Sequence, residues 1–100
     1  MSVLRPTPKQ ELLDRHNRPY FLWDCDLDID EFQARLKEGD VDERAYLTGK
    51  LMRQAKPDDV FAFIGLHEII DLWPTLERYL GRTRAFWRWI LSEWEPGSLD

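Results

Sequence analysis

The stretch DIDEFQARLKEGDVDERAYLTGKLMRQAKP, residues 28–57, decides the fold. Asp28 opens it as a helix cap, because its carboxylate can accept hydrogen bonds from the free amides of a first turn. Glu31 stands three residues later, where a capping box needs its second partner. Gly39 then offers a left-handed stop. This pattern predicts a helix over residues 29–38.

A second helix follows at once, since Asp40 and Glu43 repeat the same capping pattern, and it ends before Pro57. At about 100° per residue its apolar side chains share one face with Thr48: Val41, Ala45, Leu51, Met52 and Ala55. Arg44 falls in that face, either as a snorkelling stem or as a partner-facing ion pair. Because very short turns join antiparallel neighbours, we predict a helical hairpin at the centre of the fold.

Three more helical segments are predicted beyond the hairpin. Pro57 suits the first turn of a short helix, and a second apolar stretch after it is expected to end at Pro74. Residues 74–81 are expected to form a connector. Thr83 is then expected to cap a last helix that runs to about Trp94.

The chain before the hairpin is predicted to be less regular. Residues 1–18 indicate an N-terminal arm, partly helical, in which Thr7 caps a short helix. Residues 19–23 hold four consecutive large apolar side chains after a proline. This run is too short for a helix, so we expect an extended segment laid across the core.

Length and composition limit the chain to a small all-α domain. One hundred residues allow one domain, and 43% hydrophobic with 13% aromatic residues argues against disorder. We predict a small single-domain bundle of about four to five short helices. The helical domain is expected over residues 19–95 and a disordered tail over residues 96–100.

Charge and cysteine usage exclude several classes of protein. A net charge of −5 disfavours non-specific binding to nucleic acid. Cys25 is the only cysteine, which excludes an intramolecular disulfide and the multi-cysteine zinc sites. Because the chain opens without a signal peptide and contains no apolar run of about 20 residues, we expect a cytoplasmic protein without a membrane span.

The candidate metal-binding and catalytic residues do not have the spacing that known motifs require. The acidic run over residues 24–31 resembles a calcium loop, but Ile29 stands where the loop needs glycine and Arg35 where it needs a bidentate Glu. Cys25 lies between two aspartates, whose charge disfavours a reactive thiolate. With no nucleophile beside a base, we predict no enzymatic activity, no cofactor and no metal site.

The most informative surface is predicted on the last helix and on the segment after Pro19. Large aromatic side chains and arginines dominate the energetics of protein interfaces. Four arginines occur within residues 78–88, close to several aromatics. The candidate partner-binding residues are Tyr20, Phe21, Trp23, Arg84, Arg88 and Trp89.

Residues 18–94 resemble a small prokaryotic domain family. The resemblance is carried by Arg-Pro-Tyr-Phe-Leu-Trp-Asp at residues 18–24, by the two capped helices and by Trp-Pro-Thr-Leu at residues 73–76. Cys25 departs from the family pattern, in which an aromatic is commoner. Members are often encoded beside a nucleotidyltransferase of the AbiEii toxin type. The resemblance therefore implies an antitoxin-like or accessory partner, and it implies no catalytic residues.

Two functional classes follow from these observations. The first is a protein-interaction module that binds and restrains a nucleotidyltransferase-type toxin, whose positively charged groove an acidic partner would complement. The alternative is a small helical DNA-binding transcriptional regulator, with the terminal helix entering a groove. Binding to nucleic acid is disfavoured by the net charge of −5, and the sequence does not determine the oligomeric state.

Overall fold

The computed structural model describes residues 6–97 and residue 99, and within them every regular element is helical. The α-helices are α1 (Lys9–Leu12), α2 (Ile29–Glu38), α3 (Val41–Gln54), α4 (Pro57–Phe63), α5 (Leu66–Leu76) and α6 (Arg84–Trp94). Short 3-10 turns occupy Tyr20–Leu22, Glu77–Tyr79 and Gly81–Thr83. The predicted all-α single-domain fold is confirmed. The predicted arm before Pro6, and Ser98 and Asp100 of the predicted tail, lie outside the described residues.

The hairpin of α2 and α3 forms through the predicted caps. Asp28 accepts a hydrogen bond from the Glu31 amide at 2.8 Å, and Glu31 accepts one from the Asp28 amide at 3.3 Å. The predicted left-handed stop at Gly39 is wrong, because its φ is −66°. Glycine is needed there for space instead. A Cβ at Gly39 would lie 2.6 Å from the Glu43 carboxylate and 2.7 Å from the Arg35 carbonyl oxygen.

The Arg44 side chain contacts two neighbouring helices of the same chain. Its Nε donates to the carbonyl oxygen of Leu36 at 3.0 Å, which ties α3 to the last turn of α2. Its Nη2 also lies 4.0 Å from a carboxylate oxygen of Glu68 on α5. Arg44 therefore links α3 to both α2 and α5. The partner-facing ion pair considered from the sequence is not what the structure shows.

Helix α3 is the central element, and it packs against both α2 and α5. Ala45 and Leu51 are fully buried, as the apolar face predicts. Val41 is an exception, since it is 56% exposed at the start of the helix. The prediction that Val41 belongs to the buried face is therefore wrong.

Gly49 lets α3 approach the turn that follows α5. A Cβ at Gly49 would lie only 2.8 Å from the Cβ of Tyr79, which is not a flexible side-chain end. Gly49→Ala gains up to about 1 kcal/mol of helix propensity but forces this contact apart, at a cost of about 1–3 kcal/mol. We expect a net loss of about 1 kcal/mol in unfolding free energy, measured by urea denaturation. Gln33→Ala on the exposed face of α2 is the control, and equal stability of the two variants would contradict the prediction.

Pro74 does not end α5, which continues to Leu76 before tightening into the 3-10 turn. Proline removes the hydrogen bond that its missing N–H would donate to Ile70, and its ring crowds the Ile70 carbonyl, which is why a helix end was predicted here. The helix continues nevertheless, because burial of Trp73 and Leu76 on the core side outweighs this cost. The predicted connector over residues 74–81 is correspondingly wrong, since most of it is helical.

The segment after Pro19 is a tight helical turn, and the predicted extended conformation is wrong. The amide of Leu22 donates to the carbonyl oxygen of Pro19 at 3.0 Å, which closes the turn. In a 3-10 turn successive side chains point about 120° apart, so three neighbours face different directions. Phe21 and Leu22 therefore enter the core, while Trp23 projects outward.

Thr83 also behaves differently from its prediction. Its backbone is already helical, with φ −83° and ψ −5°, and its hydroxyl donates back to the carbonyl oxygen of Leu80 at 2.7 Å. No side-chain cap therefore precedes α6. The chain is turned into α6 by Gly81 instead, whose φ of +53° suits glycine.

Asp59 fixes the N-terminal arm to α4. The backbone amide and the hydroxyl of Thr7 each donate to the Asp59 carboxylate at 2.6 Å, across 52 residues of sequence. The Tyr20 hydroxyl donates to the same carboxylate, also at 2.6 Å, and accepts from the Lys56 amide at 2.8 Å. Thr7 therefore binds Asp59, and the prediction that it caps α1 is wrong. These hydrogen bonds from Thr7 and Tyr20 to the buried Asp59 carboxylate hold the N-terminal arm against α4.

Candidate functional site

Helix α6 carries two aromatic faces, one buried and one exposed. Trp87 is fully buried, and its Nε1 donates to the carbonyl oxygen of Met52 at 2.9 Å. Leu91 lies one turn later on the same buried side. The hydrogen bond and the bulk of Trp87 fix the rotation of α6 about its axis. The opposite face must then face solvent.

The exposed face holds side chains that are usually buried. Trp89 is 61% exposed and Phe86 is 45% exposed, three residues apart on α6. Trp94 is 44% exposed, and its ring centroid lies 5.0 Å from that of Phe61 on α4. We use the name C-terminal patch for the exposed and half-buried apolar side chains on α6 and the end of α4 that faces it: Phe61, Phe86, Trp89, Ile90 and Trp94. Exposed groups of large apolar side chains mark surfaces that bind partners.

The arginines near α6 are held by groups of the same chain. Arg84 Nε donates to the Glu77 carboxylate at 2.6 Å. Arg78 lies 3.5 Å from the Asp42 carboxylate and 5.0 Å from the ring centroid of Tyr79. Arg88 is half-buried and also has an interaction within the chain. The arginines therefore form a charged border with their acidic partners, beside the patch.

The six predicted contact residues divide among three environments. Trp89, Arg84 and Arg88 are all residues of α6. Trp23 is 76% exposed but makes no ring contact with the C-terminal patch in the described part of the chain. It borders a separate groove of about 340 Å³ whose walls are mainly in the arm and the Tyr20–Leu22 turn.

Phe21 and Tyr20 are not free surface groups. Phe21 is fully buried, with its ring centroid 5.5 Å from those of both Phe32 and Phe63, so its assignment to a contact surface is wrong. Tyr20 is half-buried, and its hydroxyl is committed to Asp59. Burial and the neighbouring Asp59 carboxylate raise the pKa of Tyr20 to about 12. Tyr20 is therefore a neutral hydrogen-bond donor at all physiological pH values.

Asp59 is a buried charged residue whose partners the sequence did not reveal. Burial on its own would raise the pKa of this carboxyl, but the hydrogen bonds from Thr7 and Tyr20 outweigh it. The pKa of Asp59 is therefore lowered. The sequence placed Asp59 in a helix opening, and that signal carries no information about a partner 52 residues away. Both carboxylate oxygens of Asp59 accept hydrogen bonds from Thr7 or Tyr20, so the role of Asp59 is structural.

Metal-ligating groups do not converge in the described residues. No group of three or more His, Cys, Asp or Glu side chains among residues 6–97 and 99 is arranged to hold a metal ion. His67 Nε2 lies 3.7 Å from a Glu95 carboxylate oxygen, at the far end of α6. Within the same part of the chain, every helix is too short or too polar to cross a bilayer.

Comparison with known proteins finds no similar protein. No family model matches the chain, and no curated protein or solved structure matches it. The geometry described above is therefore the basis for a functional assignment, with the C-terminal patch as its main element.

Proposed function

We propose that the chain is a non-catalytic protein-interaction module that binds and restrains a nucleotidyltransferase-type toxin through the C-terminal patch. The observation that carries this proposal is the exposure of Phe86, Trp89 and Trp94 on a helix whose rotation is fixed by a buried tryptophan. Rigid aromatic side chains lose little conformational entropy on binding. The class of partner rests on the family resemblance of residues 18–94.

The charge of the molecule supports such a partner. A protein that acts on nucleic acid or nucleotides presents a positive groove, and a net charge of −5 complements it. The acidic groups beside the arginines, Glu77 and Asp42, would contribute at the rim of the contact. Aromatic anchors surrounded by a polar rim are the usual anatomy of a protein interface.

The DNA-binding alternative is less well supported by the same contacts. A phosphate that bound Arg84 or Arg78 would compete with the carboxylates that these arginines already contact. Phosphate contacts supply most of the affinity of a DNA-binding protein. We therefore keep the transcriptional regulator as the second proposal. Retention on DNA that falls steeply with salt is the result that would favour it.

The first proposal is tested by calorimetry with a purified AbiEii-type nucleotidyltransferase from the same genome. We expect a defined stoichiometry with the wild-type chain and at least about tenfold weaker binding by Trp89→Ala, because truncating a central aromatic anchor costs about 2 kcal/mol or more. Inhibition of nucleotidyl transfer in the complex is the second measurement.

Tyr46→Ala is the matched control, since Tyr46 is also an exposed aromatic residue but lies outside the C-terminal patch. It is expected to bind like the wild type. Equal affinity of the Trp89→Ala variant and the wild type would remove the patch from the interface. Absence of any binding by the wild type would reject the toxin as the partner.

A further inference from the structure

Four exposed residues in α6 and in the 3-10 turn that leads into it form a narrow row. At about 100° per residue, their positions on the helical wheel fall within about 60° of one another. They are spaced four, three and four residues apart, which is the spacing of a helix face that packs against a second helix. We name this set the outer row, and it consists of Arg82, Phe86, Trp89 and Glu93.

The two ends of the outer row carry opposite charges without partners in the described part of the chain. Among residues 6–97 and 99, the Arg82 side chain has no hydrogen bond and no ion pair, unlike the other arginines near α6. The Glu93 side chain likewise has none with these residues. The outer row is therefore aromatic in its middle and carries one charge of each sign at its ends.

A second copy of this chain complements the outer row when the two α6 helices pack antiparallel across a two-fold axis. The midpoint between Phe86 and Trp89 is also the midpoint between Arg82 and Glu93. A register that places Phe86 of one copy opposite Trp89 of the other therefore also places Arg82 opposite Glu93. Every contact occurs twice, because such an interface uses the same surface of both copies. Aromatic rings meet at the centre, and opposite charges meet at both ends.

Other arrangements of the two helices lose part of this match. A parallel pair would place Arg82 against Arg82 and Glu93 against Glu93, and facing like charges repel each other. An antiparallel pair centred on Trp89 would place Glu93 opposite Ala85, which leaves the charge of Glu93 without a partner. The distribution of charge therefore favours one direction and one register.

The size of this interface indicates a weak complex. Trp89 is 61% exposed and Phe86 is 45% exposed. Since an aromatic side chain buries about 150–250 Å² when it is fully enclosed, the four rings of two copies supply roughly 400 Å². A stable complex buries about 1,200–2,000 Å² in total, which is more than one short helix from each copy provides. The association is therefore expected to depend on protein concentration.

We propose that two copies of the chain associate through the outer row, with Phe86 against Trp89 and Arg82 against Glu93. Phe86 and Trp89 also belong to the C-terminal patch, so a second copy and another protein partner cannot occupy them together. Self-association then withholds the patch from the toxin and weakens toxin binding at high protein concentration. This regulation rests on the proposed function, whereas the self-association itself does not.

Analytical ultracentrifugation of the full chain, without any other protein, tests the association. We expect the mean mass to rise from that of one chain at about 1 µM toward that of two chains at about 1 mM, the range of a weak complex. Trp89→Ala should weaken the association by about tenfold or more, because it removes a central aromatic side chain. The mass of one chain at every concentration would overturn this inference and would leave the toxin proposal intact.

Charge reversal tests the register of the two helices. Arg82→Glu and Glu93→Arg should each weaken self-association at least about fivefold, because each variant places like charges opposite one another at both ends. A one-to-one mixture of the two variants should associate again, within about threefold of the wild-type affinity. In the mixture, the two negative groups of one variant face the two positive groups of the other. Failure of the mixed variants to associate would overturn the assigned register.

The same variants separate local pairing from net charge. Glu93→Arg makes an acidic chain less negative, so general repulsion between the copies predicts tighter association, whereas the local pairing predicts weaker association. Lys37→Glu reverses an exposed charge on α2 and is the control. It should change the affinity by less than about twofold, because salt screens charges far from the interface. Tighter association of Glu93→Arg would contradict the pairing with Arg82.

Discussion

An Asp59→Ala variant is expected to lose about 3 kcal/mol of unfolding free energy, which is a large fraction of the stability of a small domain. Removing the carboxylate leaves three donors without their acceptor: the amide and hydroxyl of Thr7 and the hydroxyl of Tyr20. Each hydrogen bond to a charged group is worth about 1.5–3 kcal/mol, and water that enters the site restores part of that energy. Urea denaturation followed by circular dichroism measures the loss.

Asp30→Ala is the control for this variant, because it removes an exposed carboxylate from the first turn of α2. It should cost less than about 1 kcal/mol, the usual size of an interaction with the helix dipole. Thr7→Val combined with Asp59→Ala should cost less than the sum of the single changes. Full additivity, or equal losses from the Asp30 and Asp59 variants, would contradict the described cluster.

The unfolding free energy at low pH is a second measure of what the Asp59 carboxylate contributes to stability. Because the pKa of Asp59 is lowered in the folded chain, its contribution is fully present above the ordinary aspartate pKa of about 3.9. The contribution is lost as the pH falls through the lower, folded value. The unfolding free energy of the wild type should therefore fall more steeply below about pH 4 than that of Asp59→Ala.

A Trp87→Ala variant is expected to lose about 4 kcal/mol, because the change removes a fully buried indole and leaves a cavity. The carbonyl oxygen of Met52 also loses the donor that reaches it at 2.9 Å. Helix α6 then has little to fix its rotation, so the exposed and buried faces no longer remain distinct. We expect a lower urea midpoint together with binding of a hydrophobic dye.

Trp89→Ala is the matched comparison, since it truncates the same side chain two residues away on the exposed face. It should change the unfolding free energy by less than about 1 kcal/mol, as surface substitutions usually do. A result in which the two variants lose similar stability would show that the faces of α6 have been assigned wrongly. Near-ultraviolet circular dichroism reports independently on the packing around Trp87.

The central hairpin was predictable because its signals are local. Asp28 and Glu31 lie within one turn, and so do Asp40 and Glu43, so their side chains reach only nearby amides. The helices that follow were also predictable in kind. The end of α5 was not, because the energy that carries the helix past Pro74 comes from burial against distant residues, which local patterns do not contain.

The candidate site could be predicted only in part, for a similar reason. The sequence offered Trp89 as a contact residue, and it is 61% exposed, but the sequence left open which tryptophans are buried, so the burial of Trp87 was not predicted. Phe21 was misplaced because the sequence does not distinguish an extended run from a 3-10 turn. The burial of Lys50 was missed because a lysine on a helix is normally solvated, and its partner Asp24 lies 26 residues earlier.

The hydrogen bonds between Thr7 and Asp59 affect the order in which parts of the chain fold. Joining residues 52 positions apart closes a long loop, whose entropic cost is about 3.5 kcal/mol before any contact repays it. The hairpin of α2 and α3 joins near neighbours and forms at a much smaller cost. We therefore expect the arm to dock after the transition state, so that Asp59→Ala raises the unfolding rate more than it lowers the folding rate in stopped-flow kinetics.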